Sequence, residues 1–294
     1  MAMIKTFRVG SCTIHRIVES EGSYAPALAF LPNLSSEVLA NNRHWLRPFA
    51  LDENDNVILC FQSYVVQTPR QTILIDTCVG NNKDRPAQPA WHRMKSQTYL
   101  QNLADVGLRV EDIDVVLCTH LHIDHVGWNT RLENGRWVPT FPKARYLFSK
   151  RELDDLQTGS AGSSFPHFVD SVLPIVAAGR ADLVASDHVV SDYCVLLPTP
   201  GHSLDHFAVA FGKKGADVII TGDLIHSPIQ ARYPDVAMRA DLDRQQAAKT
   251  RRTFLERFSE SATFCCFSHF PSPSVARIKR WDDGFRCDYI ASDA

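Results

Sequence analysis

Within six residues, the stretch HLHIDH places three histidines and one aspartate, His120, His122, Asp124 and His125, directly after a strand-like run that ends at Thr119. So dense a polar cluster at the end of an apolar run commits the chain to a loop at the carboxyl edge of a sheet, where α/β proteins build their sites. His120 and His122 are two apart, so an extended backbone points both the same way, and a turn at Asp124 and His125 brings a second pair alongside. One tight loop therefore offers donors to two neighbouring ions. It does not close a coordination sphere. Three residues standing alone at the ends of later apolar runs can do so: His202 in LLPTPGHS, Asp223 in VIITGD and His269 in CCFSHF. Gly201 and Gly222 give the backbone freedom to turn two of these inward. The set amounts to five imidazoles and two carboxylates, nitrogen and oxygen donors that suit two Zn²⁺ ions, with Mn, Fe and Co left open by ligand type.

The rest of the chain supplies the scaffold. Apolar, β-branched runs recur at IKTFRV, TIHRIV, VILCFQSYVV, QTILID, DVVLC, ARYLFS, CVLLP, HFAVAF, DVIITG, ATFCCF and GFRCDYI, which read as strands. Helices are predicted over 91–106, 150–156, 165–178 and 242–258. In the last, Ala247, Phe254, Leu255 and Phe258 form an apolar face, and Arg251, Arg252 and Glu256 are expected to face water. Early strands succeed one another as a meander and later ones alternate with helices, so the expected fold is mixed α/β with two sheets in a single domain spanning residues 1–294. The segment 22–50 is apolar but weakly periodic. It is expected to be a long ordered loop that caps a pocket or meets a second copy of the chain, which makes a homodimer the expected assembly.

Charge and composition narrow the partners. The 31 basic residues nearly balance 33 acidic ones, for a formal charge of -2, which removes the electrostatic footprint of a nucleic-acid binder. No apolar stretch approaches a membrane span, and the N-terminal MAMIKTFRVGSC lacks the apolar run of a signal peptide, so a cytoplasmic protein acting on a small molecule is expected. The eight cysteines form no CxxC pair and are expected to be buried free thiols.

Taken in order, HxHxDH, TPGH, TGD and SHF resemble the metallo-β-lactamase fold superfamily of binuclear metallohydrolases, over a span from about Ile73 to His269. The resemblance implies an αββα sandwich of two mixed sheets with helices outside. It implies that His120, His122 and His202 hold one metal and Asp124, His125 and His269 the other, with Asp223 bridging. Asp76, in LIDT, would then orient a ligand from behind. The stretch DHVGWNTRLENGRWVPTFPKARYLFSKREL is similar to the subgroup of N-acyl homoserine lactonases, 4-pyridoxolactonase and methyl parathion hydrolase-like enzymes. Trp128 stands where glyoxalase II enzymes have glycine.

Two ions about 3.5–4 Å apart share a hydroxide available near neutral pH, so the resemblance implies a hydrolase that opens a small lactone or related ester. Two rival activities are phosphotriester or aryl ester hydrolysis, and persulfide dioxygenation on a single iron. A non-enzymatic binding protein is a third rival. In homoserine lactonases a tyrosine follows the bridging aspartate by three residues, where this chain has His226. His226 is expected to donate to the substrate carbonyl or the leaving oxygen, with Asp124 as the other proton carrier. His206, Ser203 and Thr119 are expected to support the ligands. His15, His44, His92, His167 and His188 are expected to be ordinary core or surface residues. Trp128, Phe165, Phe168 and the residues from Ala27 to Leu31 fit either a pocket wall or the core.

Overall fold

The computed structural model describes residues 5–158, 165–213 and 216–290. Ile4, at the head of the first predicted strand, lies outside them. The chain divides into two compact units, the first made of Lys5–Glu19 and Phe61–His188, the second of Ser20–Cys60 and the chain from Val189 onward.

The first large sheet draws on the early strands β1 (Thr6–Val9), β2 (Cys12–Pro26), β3 (Asn56–Gln67), β4 (Thr72–Ile75) and β5 (Val115–Leu117). A small hairpin follows, β6 (Thr130–Glu133) with β7 (Arg136–Pro139), and then β8 (Arg145–Ser149) and β9 (Ala181–Val184) complete the sheet in the order β1-β2-β3-β4-β5-β8-β9. The early strands do form the expected meander, and β4, β5, β8 and β9 then run parallel. β5 is buried along its whole length, as its unbroken VVL requires of a central parallel strand. The second sheet holds β10 (Val189–Ser191), β11 (Cys194–Pro198), β12 (Phe207–Phe211), β13 (Val218–Ile220), β14 (Phe264–Cys266), β15 (Val275–Trp281) and β16 (Gly284–Tyr289) in sequence order. Only β13 and β14 pair in parallel there. Both sheets are mixed and carry helices, which is the expected fold class.

The helices are α1 (Ala27–Phe30), α2 (Ser36–Leu46), α3 (Thr98–Asp105), α4 (Lys150–Thr158), α5 (Leu173–Ala177), α6 (Ile229–Arg232) and α7 (Arg244–Phe258). Four expectations need correcting. The segment 22–50 is not a loop: β2 runs on to Pro26, and α1 and α2 follow, with Ser35 capping α2 by accepting from the Val38 N–H. The helix predicted over 91–106 covers only Thr98–Asp105, because Arg93 has φ +50° and its N–H goes to the Lys83 carbonyl. The helix predicted over 165–178 contains a wide π turn at Phe168–Val172. Pro174, in the first turn of α5, has no N–H to give the carbonyl of Asp170, and the Leu173 N–H reaches back five residues to Phe168 instead. Finally, Arg251 does not face water: it is fully buried, while Ala247, Phe254, Leu255 and Phe258 bury as predicted.

All eight cysteines are unbridged thiols; seven are buried and Cys287 is half-buried. Among the described residues no helix is long and apolar enough to cross a membrane.

Candidate metal centre

In the first unit, the site begins where two adjacent parallel strands end. β4 runs into Asp76, whose φ of +56° turns its carboxylate back toward the end of β5. There Asp76 accepts the Thr119 N–H at 2.7 Å, the Thr119 hydroxyl at 2.9 Å and His125 Nδ1–H at 2.9 Å. Thr119 passes the network on, since its hydroxyl oxygen lies 3.1 Å from His120 Nδ1. The ring of His120 sits 4.4 Å from that of His122 and 4.1 Å from that of His125, centroid to centroid. His125 Nε2 is 3.9 Å from Asp124 Oδ1. All four polar residues of HLHIDH are therefore gathered at one spot.

What holds this loop is a second loop, residues 77–80. Backbone bonds tie them together: Thr77 N–H to the His125 carbonyl, Gly127 N–H to Cys78, and Trp128 N–H to Thr77. They cross so closely that a Cβ on Gly127 would lie 1.9 Å from the Val79 carbonyl oxygen. Glu19, at the end of the first unit's share of β2, clamps the crossing by accepting from the N–H groups of Val79 and Gly80 and from Trp128 Nε1. Burial pushes the Glu19 carboxyl up to about 7, against the lowering effect of those donors. Trp128 is thus committed to the core, stacked on Tyr99 at 5.3 Å. Phe168 is core as well, whereas Phe165 is exposed. Glu152 adds a further support, accepting the Leu121 N–H at 2.8 Å between the two leading histidines.

In the second unit, three loops converge on Asp223. His202 Nε2 and His226 Nε2 approach its Oδ2 at 3.2 and 3.1 Å, and His269 Nε2 approaches Oδ1 at 3.0 Å. Gly201, at φ +127°, lets α7 come close: a Cβ there would lie 2.3 Å from the Ala247 nitrogen. His202 is fixed from behind by Asp241, which takes its Nδ1–H at 2.9 Å. Burial opposes charge on His202, but the Asp223 and Asp241 carboxylates outweigh it and raise its pKa to about 9. His269 is fixed by donating Nδ1–H to the Cys60 carbonyl at 3.0 Å. His206 supports the site as expected, bound to the Thr199 hydroxyl and accepting the Asp223 N–H through Nε2.

His226 packs parallel to His269 with centroids 5.4 Å apart, and its Nδ1 is buried without a hydrogen-bond partner. Burial drives its pKa down to about 4, more than the nearby Asp223 carboxylate can recover. Behind Asp241 stands Arg251, which donates to the carbonyls of Leu224, Pro234 and Val236 and lies 3.5 Å from Asp241. Glu19, Glu152, Asp241 and Arg251 were all missed from the sequence.

A family profile described as the metallo-β-lactamase superfamily matches residues 62–269. The chain belongs to this superfamily. The matched span contains every residue of the two clusters except the Glu19 and Cys60 supports. Among solved structures, AidC, "a dizinc quorum-quenching lactonase" held with an N-hexanoyl-homoserine product, superposes with a TM-score of 0.81 at 19% identity, covering 98% of both chains. AbOPH, a hydrolase of the β-lactamase superfamily, gives 0.82 at 22% identity over 99% of this chain and 98% of its own. A probable metal-dependent hydrolase from Staphylococcus aureus gives 0.73 at 17%, over 97% and 100%. At these identities the likeness is one of fold. No curated protein sequence matches the chain.

The donor chemistry fits metal ions of the kind this superfamily holds. Four of the five imidazoles bind a partner through Nδ1, namely His120, His125, His202 and His269. That orients each ring and turns its Nε2 away from the anchoring partner, as in histidines that ligate a metal.

Proposed function

We propose that the chain is a metal-dependent hydrolase that holds two divalent ions, zinc by donor type, and opens a small lactone or related ester. The observation that carries this reading is the pattern of anchored rings: four imidazoles bound at Nδ1, three of them with Nε2 within 3.9 Å of an aspartate oxygen. Histidines that merely fill a core have no reason to share that arrangement.

In this reading His120, His122 and His202 hold one ion, and Asp124, His125 and His269 the other. Asp223, whose two oxygens face different histidines, serves both. When bound, the ions supply Lewis acidity for the ester carbonyl and water acidified to near-neutral pKa. The protein's own groups do the rest. Asp124 is the one partly exposed carboxylate among the ligands, which suits it to move a proton to the leaving oxygen. His226 directs its Nε2 to Asp223, so its part is to hold that carboxylate in position rather than to act as the acid. AidC, described as a dizinc lactonase, lends the bond type its support.

Elemental analysis of the purified chain, followed by a screen of γ-lactones, aryl esters and phosphotriesters with and without chelator, tests the proposal. Two zincs per chain with chelator-sensitive lactone opening is the expected result. A single iron without hydrolysis, or preferred turnover of phosphotriesters, would overturn it.

A further inference from the structure

The second unit carries a cation beside the Asp223 cluster that the reaction as described leaves unused. Phe30, the last residue of α1, is buried and meets the His226 ring edge-on at 5.9 Å. Tyr24 meets Phe30 edge-on, also at 5.9 Å. Over these two aromatic rings lies the Arg239 guanidinium, 5.8 Å from the Tyr24 centroid and 5.9 Å from that of Phe30. The arginine's root is fixed, because its N–H donates to the Phe30 carbonyl at 2.9 Å and the preceding Met238 N–H donates to Asp241. Its head is exposed and, among the described residues, makes no ion pair. The acid nearest in sequence, Asp241, is already engaged by His202, Met238 and Arg251.

A guanidinium laid on aromatic faces loses little freedom when it binds, and its planar fork matches the two oxygens of a carboxylate. Resting on the ring that touches His226, this one stands no farther from that histidine than the two centroid distances laid end to end. We propose that Arg239, with Tyr24 and Phe30 as its floor, is a specificity-determining subsite that binds a carboxylate on the substrate, remote from the bond being cleaved. The inference rests on the hydrolase reading and narrows it: the preferred ester or lactone is anionic, with its carboxylate a short chain away from the reacting carbonyl. Nothing in the chain's near-neutral net charge demands this preference. It is local.

The test compares the metal-loaded wild type with Arg239→Gln and Arg239→Lys on two matched aryl esters, phenyl butyrate and the monophenyl ester of glutaric acid. Arg239→Gln is expected to raise KM for the glutarate ester about tenfold, with kcat and the neutral ester unchanged and Arg239→Lys in between. Equal KM ratios in wild type and variant would overturn the subsite. Calorimetric binding of glutarate against butyrate reads the same subsite without turnover. Wild type should prefer glutarate, and Arg239→Gln should lose the preference; a preference that survives the substitution, or none in wild type, would also overturn it. If neither ester is hydrolysed, the calorimetric comparison alone decides the subsite, and the lactone screen decides the hydrolase reading separately.

Discussion

His202 Nδ1 and Asp241 Oδ1 are 2.9 Å apart in a fully buried contact that fixes which nitrogen of His202 faces Asp223. Replacing Asp241 by Asn keeps the shape but removes the charge that sharpens this donor and balances Arg251. Metal affinity should fall about 10–100-fold, read by competition against a chromogenic chelator, with the circular dichroism of the fold retained. Undiminished affinity would mean the contact is incidental.

His226→Ala should leave two ions per chain yet slow turnover by about 10–100-fold, because it frees Asp223 on one side without removing a ligand. Metal content and kcat measured on one preparation decide it. A variant with wild-type kcat would remove His226 from the mechanism.

Gly127→Ala places a methyl group where the Val79 carbonyl already is. Neither loop can yield without breaking the Gly127 to Cys78 bond, so a loss of about 3 kcal/mol or more is expected in urea unfolding. Gly22, where an added Cβ meets nothing within 4 Å, is the control; Gly22→Ala should change stability by less than about 0.5 kcal/mol. Similar midpoints for the two variants would contradict the close crossing.

Lys83 is fully buried between the Thr130 hydroxyl, the Asp170 carbonyl and the face of Trp137. Burial lowers its pKa from 10.5 to about 7, despite the Asp170 carboxylate. An unfolded chain keeps that proton up to pH 10.5, so between pH 7 and 10.5 the unfolded state binds more protons than the native one. The contribution to stability therefore rises with pH across this window and is least below it. Lys83→Met should flatten the slope, as followed by urea midpoints at several pH values. An identical slope in the variant would place the titration elsewhere.

The residues that gather into the two clusters were legible because each follows an apolar strand whose end sets the backbone direction, with Gly201 and Gly222 beside two of them. The supports Glu19, Glu152, Asp241 and Arg251 were not, because each reaches a partner across a large gap in sequence; Asp76 spans as large a gap and was named only through the family resemblance. Glu152 shows how a local rule misleads: Ser149 and Glu152 have the spacing of a capping box, and the Glu152 N–H does bond the Ser149 hydroxyl, but the carboxylate leaves for Leu121. Other signals were present and unused. Asn134-Gly135, both at positive φ, marks the β6–β7 hairpin, and Arg251 falls on the same helical stripe as Ala247, Leu255 and Phe258, which already places it inward. Its charge argued for water. Three carbonyls and Asp241 were waiting instead.

That arginine also bears on how a protein of this kind can diversify. One guanidinium ties Leu224, Pro234 and Val236 to α7 and leans on Asp241, so the stretch from Asp223 to Asp241 is braced from within and owes little to its outer surface. Arg239 lies within that stretch, but its exposed side chain takes no part in the brace, and Tyr24 stands outside it. Both side chains can therefore be exchanged while the residues around Asp223 keep their places.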